Sequence, residues 1–138
     1  MDGLETTTSL NWALRMLASP VALLNDHAHL EKKAASNALD MLSRWPTTPP
    51  PENWVTSMVA IAKDEVDHLY LVIKYLESFG GSFSKHHKNA YATALHAYVR
   101  LGEGPLEHVD RLLVSAMIEL RSCERFKVLG EGAEQLSI

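Results

Sequence analysis

The sequence predicts an all-α protein, and three observations carry that reading. Long stretches rich in Ala, Leu, Met, Glu and Lys, all good helix formers, repeat apolar residues at three- and four-residue spacing. No stretch sustains the alternation of apolar and polar residues, with β-branched side chains, that a half-buried strand requires. Clusters of Pro and Gly cut the chain into segments of helical length.

Each element follows from those breaks. Ser9 to Ser19 forms a short leading helix before Pro20. The first long helix covers 20–45 and is stopped by the run Pro46 to Pro51. The second covers 54–79 and ends at Gly80-Gly81. A shorter helix over 88–101 is closed by Gly102 and Gly104-Pro105, and a third long helix covers 106–129, weakened beyond that by Gly130 and Gly132. The short loop after the first long helix makes the first two long helices antiparallel neighbours. The segment from Gly80 to Gly104 then carries the chain back along the bundle, so the third long helix runs parallel to the second. One long crossover of this kind is the ferritin-like arrangement.

Composition narrows the function classes. The 138 residues are 46% hydrophobic and 22% charged, with 7 Gly and 6 Pro, which fits one folded domain over 1–138 and excludes disordered or fibrous chains. A single Cys excludes an intramolecular disulfide framework and fits a reducing compartment. The net charge of −4 gives no footprint of a general nucleic-acid binder. Apolar runs such as Leu112 to Val114 are far short of a membrane span, and the acidic start is unlike a signal peptide. The expectation is a soluble, cytoplasmic domain without a membrane partner.

Carboxylates interrupt the apolar stripes. At about 100° per residue, Leu24, Ala28, Ala35, Ala38 and Leu42 share a face, with Glu31 at its centre. Trp54, Met58, Ile61, Leu69, Val72 and Leu76 share another, centred on Glu65, and His68 follows at i+3. In the third long helix Val109, Leu113, Met117 and Leu120 form a face that Glu124 continues. Glu31 and Glu65 stand at comparable distances from the inter-helix turn, hence at nearly one level of the bundle. A lone buried carboxylate has an ordinary explanation as a paired core residue, but three with a Glu-x-x-His pair suit a cation such as iron, manganese or zinc. A weak internal repeat laying 27–33 over 120–126 favours Glu124. Glu119 lies about 140° around the helix from it, so both cannot face one metal. Glu119 therefore reads as an outer residue near the ligands or as the partner of an Arg. His27, one turn from Glu31, reads equally as a residue beside the ligands or as a partly exposed structural His, and Arg121 as a residue near the ligands that orients Glu119 or reaches RNA.

The same residues carry a family resemblance. The stretch from Leu23 to Ser36, the segment Ala62-Lys63-Asp64-Glu65-Val66-Asp67-His68, and Asp110 to Val114 followed by Ile118 to Phe126 resemble the three ligand segments of the tRNA 2-methylthio-N6-isopentenyladenosine hydroxylases, the MiaE-like family. The resemblance implies a ferritin-like bundle with a non-haem di-iron centre that uses O2 as co-substrate, an electron donor, and tRNA as substrate. It implies Glu31, Glu65, His68 and Glu124 as iron ligands, with Glu65 and Glu124 the candidates to bridge. It also implies a further helix with a second Glu-x-x-His, and none precedes the last residue, Ile138; Leu30 stands where the family tends to have Cys.

Three long helices with a short crossover helix, C-terminally truncated relative to the family, admit three readings. The site is incomplete; or a homo-oligomer covers the missing-helix face and completes it; or the chain is a ferritin-like metal-binding or interaction protein without hydroxylase activity. His86 and His87, flanked by Lys85 and Lys88, read as a solvated loop more readily than as an RNA contact, and Lys32 and Lys33 as exposed. Cys123 reads as a packed thiol.

Overall fold

The computed structural model describes residues 4–137 as five helices with no strand among them. These are α1 (Leu10–Leu17), α2 (Pro20–Met41), α3 (Glu52–Ser78), α4 (Ala90–His96) and α5 (Pro105–Leu136). Ser9 caps α1 by accepting a hydrogen bond from the Trp12 amide, and Pro20 opens α2 where a helix needs no N–H. Asn89 caps α4 in the same way, through the Ala92 amide.

Side-chain contacts fix the directions of the helices. At one end of the α2–α3 pair the Trp54 indole donates to the Met41 carbonyl at 3.2 Å. At the other, Asn25 donates to Ser84 Oγ and accepts from the Ser84 amide, both at 2.9 Å, so α2 and α3 are antiparallel. Helix α5 starts beside the end of α2, where Arg44 meets Glu107 at 3.5 Å. It then passes Asn37 through Ser115 at 3.0 Å and reaches His27 through Phe126, with ring centroids 4.7 Å apart. It therefore runs antiparallel to α2 and parallel to α3, and residues 79–104 make the crossover, as the connection lengths predict.

The core is concentrated between α2 and α3, where Ala35, Ala38 and Met41 are buried with Met58, Ala62 and Leu76. Small residues on α2 let α3 approach closely. Helix α5 is braced instead by α1 and α4. Trp45, Trp54 and His108 pack at its foot, with the imidazole 5.3 Å and 4.7 Å from the two indoles. Between α5 and the α2–α3 pair a cavity of about 520 Å³ remains.

Three boundaries differ from the sequence expectation. Helix α2 ends at Met41 rather than at residue 45, because the Pro-rich turn begins to form earlier. The crossover helix shrinks to Ala90–His96. Helix α5 runs through Gly130 and Gly132 to Leu136, because α1 packs on it there: a Cβ on Gly132 would lie 3.2 Å from both Ala13 Cβ and Leu17 Cδ1. Gly132 is thus a point of close helix approach, whereas nothing lies within 4 Å of a Cβ on Gly130.

Gly130→Ala is accordingly expected to raise stability by about 0.5–1 kcal/mol in urea unfolding, since it adds helix propensity in open space. A neutral or destabilising result would show that the helix does not continue through this position.

Candidate metal centre

Glu31 on α2 and Glu65 and His68 on α3 converge on the cavity. Each offers one ligand atom, and these atoms lie within 4.8 Å of one another. The convergence follows from the α2–α3 packing: Ala28, Ala35 and Ala62 bring the two backbones together around Glu31 and Glu65. His68 Nδ1 stands 3.6 Å from Glu65 and 3.7 Å from Glu31, too far for strong hydrogen bonds and spaced as ligands around a shared cation would be. Glu31 is only 9% exposed, whereas the His68 side chain is 61% exposed at the mouth of the cavity.

The charge state of this cluster reflects its crowding. Burial pushes Glu31 up, but hydrogen bonds from His27 and Glu65, and the nearby imidazoles, outweigh it and leave the carboxyl below its ordinary range. The His27 bond is direct, Nε2–H donating to Glu31 Oε1 at 2.7 Å. Glu65 is pushed up to about 8, first by burial, then by its hydrogen bond to Glu31 and by the charges of Glu31 and Glu119. Two facing carboxyls share one proton because both cannot ionise side by side without a cation. Glu119 is raised as well, by burial and then by Glu31. A donor set of carboxylates and imidazole that retains a proton in place of a missing positive charge fits a divalent transition metal.

Helix α5 corrects the sequence expectation for its carboxylates. Glu119 lines the cavity together with Ser115, Ala116, Ser122 and Cys123, and Glu124 does not. Glu124 accepts hydrogen bonds from the Thr8 amide, from Thr8 Oγ1 at 2.7 Å, and from Arg121 at 3.2 Å. Burial raises its affinity for a proton, but these donors outweigh burial and hold it ionised below the ordinary range. Arg121 also donates to the Thr6 carbonyl at 2.9 Å, so it ties the N-terminal segment to α5 and does not orient Glu119. The face that Glu124 continues is not the one turned to the cavity, since none of Val109, Leu113, Met117 and Leu120 is part of its lining. A signal for the true inner face was present in the stripe of small residues Ser115, Ala116, Ser122 and Cys123, which leaves room for a site. Cys123 is exposed rather than packed.

The family model described as tRNA-(MS2IO6A)-hydroxylase (MiaE) matches residues 2–135. The chain belongs to the MiaE family. Among curated members, a tRNA 2-(methylsulfanyl)-N(6)-isopentenyladenosine(37) hydroxylase of Pseudomonas putida is 36% identical over 118 residues, covering 86% of this chain and 56% of that protein. The corresponding hydroxylase of Salmonella typhimurium is 32% identical over 81 residues, 59% of this chain and 30% of that protein. This MiaE-family chain therefore spans about half, or less, of the length of the curated relatives it matches. A solved structure described as protein 43 with aldehyde deformylating oxygenase activity from Synechococcus superposes with a TM-score of 0.84 at 31% identity, covering 95% of this chain and 63% of that one.

Two outcomes follow for this MiaE-family bundle. Glu124→Ala strands the Thr8 amide and Arg121, and is expected to cost about 2–4 kcal/mol in chemical unfolding. An undiminished stability would contradict the structural role of Glu124. Glu65 binds its proton more tightly folded than unfolded, so its contribution is complete below pH about 4.5 and is lost as pH rises through about 8. Thermal melts in chelator should therefore decline between these limits, and Glu65→Gln should flatten that decline; an identical pH profile in the variant would refute the assignment.

Proposed function

We propose that the chain forms the iron site of an O2-dependent hydroxylase acting on the isopentenyl group of 2-methylthio-N6-isopentenyladenosine in tRNA. The observation that carries the reading is the Glu31–Glu65–His68 cluster at the wall of a largely apolar cavity, in a chain of this family. Glu31, Glu65 and His68 would hold the metal, with Glu119 the carboxylate supplied by α5 in place of Glu124. Iron bound there, as the di-iron centre that the resemblance implies, would supply activation of O2.

The chain's own residues have definite tasks in this reading. His27 Nε2–H occupies Glu31 Oε1, which leaves Oε2 turned toward His68. Glu65, which holds its proton up to about pH 8 in the empty cluster, would have to release it to serve as a ligand, so metal uptake would be coupled to proton release. Met41, Met58, Ile61, Leu112 and Phe126 line the cavity with apolar surface that suits a branched hydrocarbon group. Substrate tRNA and an electron donor are the partners the reading requires, with the cytoplasm as its compartment. No helix among the described residues is long and apolar enough to cross a membrane.

We also propose that the chain associates with a second copy through the α3 and α5 faces flanking the cavity. Val59, Val66 and Tyr70 on α3, and Val109 and Leu113 on α5, are large apolar side chains left in solvent.

Protein produced with iron available is expected to retain it in stoichiometric amount and, given a chemical reductant and O2, to hydroxylate isopentenylated tRNA. Glu31→Ala, Glu65→Ala and His68→Ala should each abolish iron retention while the helical circular dichroism is kept. Unchanged iron content in all three variants would sink the metal reading. Sedimentation velocity should give a dimer or larger species; a well-folded monomer at every concentration would contradict the association.

A further inference from the structure

The lysines of this acidic chain are unevenly used. Lys63 and Lys74 on α3 are paired along their own helix, with Asp67 at 2.9 Å and Glu77 at 4.0 Å. Arg44, Arg100, Arg111 and Arg121 each meet a carboxylate as well. Among the described residues, Lys32, Lys33, Lys85 and Lys88 have no carboxylate partner, and all four are exposed. Other unpaired cations, Arg15, Arg125 and Lys127, belong to α1 and α5, where Arg125 covers the Trp12 ring.

The fold lays the crossover segment that carries Lys85 and Lys88 against the stretch of α2 that carries Lys32 and Lys33. The crossover segment carrying Lys85 and Lys88 is pinned on α2 by the Ser84–Asn25 bonds and by His29 Nε2, 3.0 Å from the Ser84 carbonyl. His87 stacks on His29 with centroids 4.7 Å apart and rings 3° from parallel. Lys33 Nζ donates to His87 Nδ1 at 3.1 Å, and His87 Nε2–H donates to Asp26, the carboxylate on this patch. Lys33 is thereby held at a fixed place, with two of its ammonium hydrogens still free. Lys33 also lines the same cavity as Glu31, Glu65 and His68. Phe83, stacked on the other partner of this assembly, His29, remains 42% exposed and offers an aromatic surface beside the lysines.

We propose that Lys32, Lys33, Lys85 and Lys88, with Phe83, form an RNA-binding surface that meets the cavity at Lys33, the lysines taking backbone phosphates and the ring a splayed base. The choice of RNA rests on the hydroxylase reading of the cavity. It also has support of its own, because an exposed ring among unpaired lysines suits unstacked nucleotides better than a lipid headgroup or free phosphate. Lys33 gives the geometry its consequence: a phosphate held there brings the attached nucleoside to the opening that leads to Glu31.

The test is fluorescence anisotropy of a labelled anticodon stem-loop RNA against the iron-loaded protein at several salt concentrations. The quadruple variant Lys32→Gln, Lys33→Gln, Lys85→Gln and Lys88→Gln is expected to reduce the salt slope by about 3 and to weaken binding roughly tenfold or more at moderate salt. Lys63→Gln with Lys74→Gln should leave both quantities unchanged. Phe83→Ala should weaken binding without altering the slope. Equal slopes and affinities for the quadruple variant and the parent would overturn the proposal, as would lysine-dependent capture by phosphatidylserine vesicles with no RNA bound. Iron content measured on the same samples keeps the two readings apart: retained iron with lysine-independent RNA binding refutes the surface alone.

Discussion

The arrangement depends on a single electrostatic constraint, the meeting of Glu31 and Glu65 inside the α2–α3 pair. Two carboxyl groups forced together against apolar surface cannot both carry charge, and the proton held on Glu65 is the consequence. A fold optimised for stability alone would place alanine or leucine at these positions, as it does one turn away at Ala28, Ala35 and Ala62. The remainder of the bundle keeps this juxtaposition intact. His27 fixes one oxygen of Glu31, the small residues of α2 set the helix separation, and α5 stands back far enough to leave a cavity.

The cavity exists because α5 is supported from its outer side. Thr8 and Arg121 close on Glu124, Arg125 lies against Trp12, and α1 presses on Gly132. These contacts hold α5 to α1 and let its opposite face, with Glu119 and Cys123, remain open toward α2 and α3. Glu119 and Glu124 thus divide two tasks that the sequence presents side by side. One carboxylate is compensated by protein donors and is structural; the other has no such donors and faces the cluster.

The all-α class, the crossover and the Glu31–Glu65–His68 group were legible because each follows from local rules. Helix periodicity centres Glu31 and Glu65 on apolar faces, i+3 spacing joins His68 to Glu65, and a short turn sets both glutamates at one level. The rotation of α5 was not legible, because it is fixed by contacts remote in sequence. Thr8 and Glu124 are separated by most of the chain, and neither carries a local mark of the other. Apolar character misled for the same reason: Val109 and Leu113 are hydrophobic yet lie away from the cavity, while the stripe that lines it mixes Ser115, Ala116, Ser122 and Cys123 with Leu112 and Phe126. The crossover lysines were equally ambiguous in sequence, since their proximity to Lys33 arises only when His87 stacks on His29.

The central claim is that the buried carboxylates are arranged for a cation. Crystals equilibrated anaerobically with ferrous iron, with diffraction recorded on both sides of the iron absorption edge, test it most directly. The account predicts an anomalous peak among Glu31, Glu65 and His68, on the side facing Glu119. A peak beside Glu124, or none at the cluster while Glu31 and Glu65 remain hydrogen-bonded to each other, would contradict it.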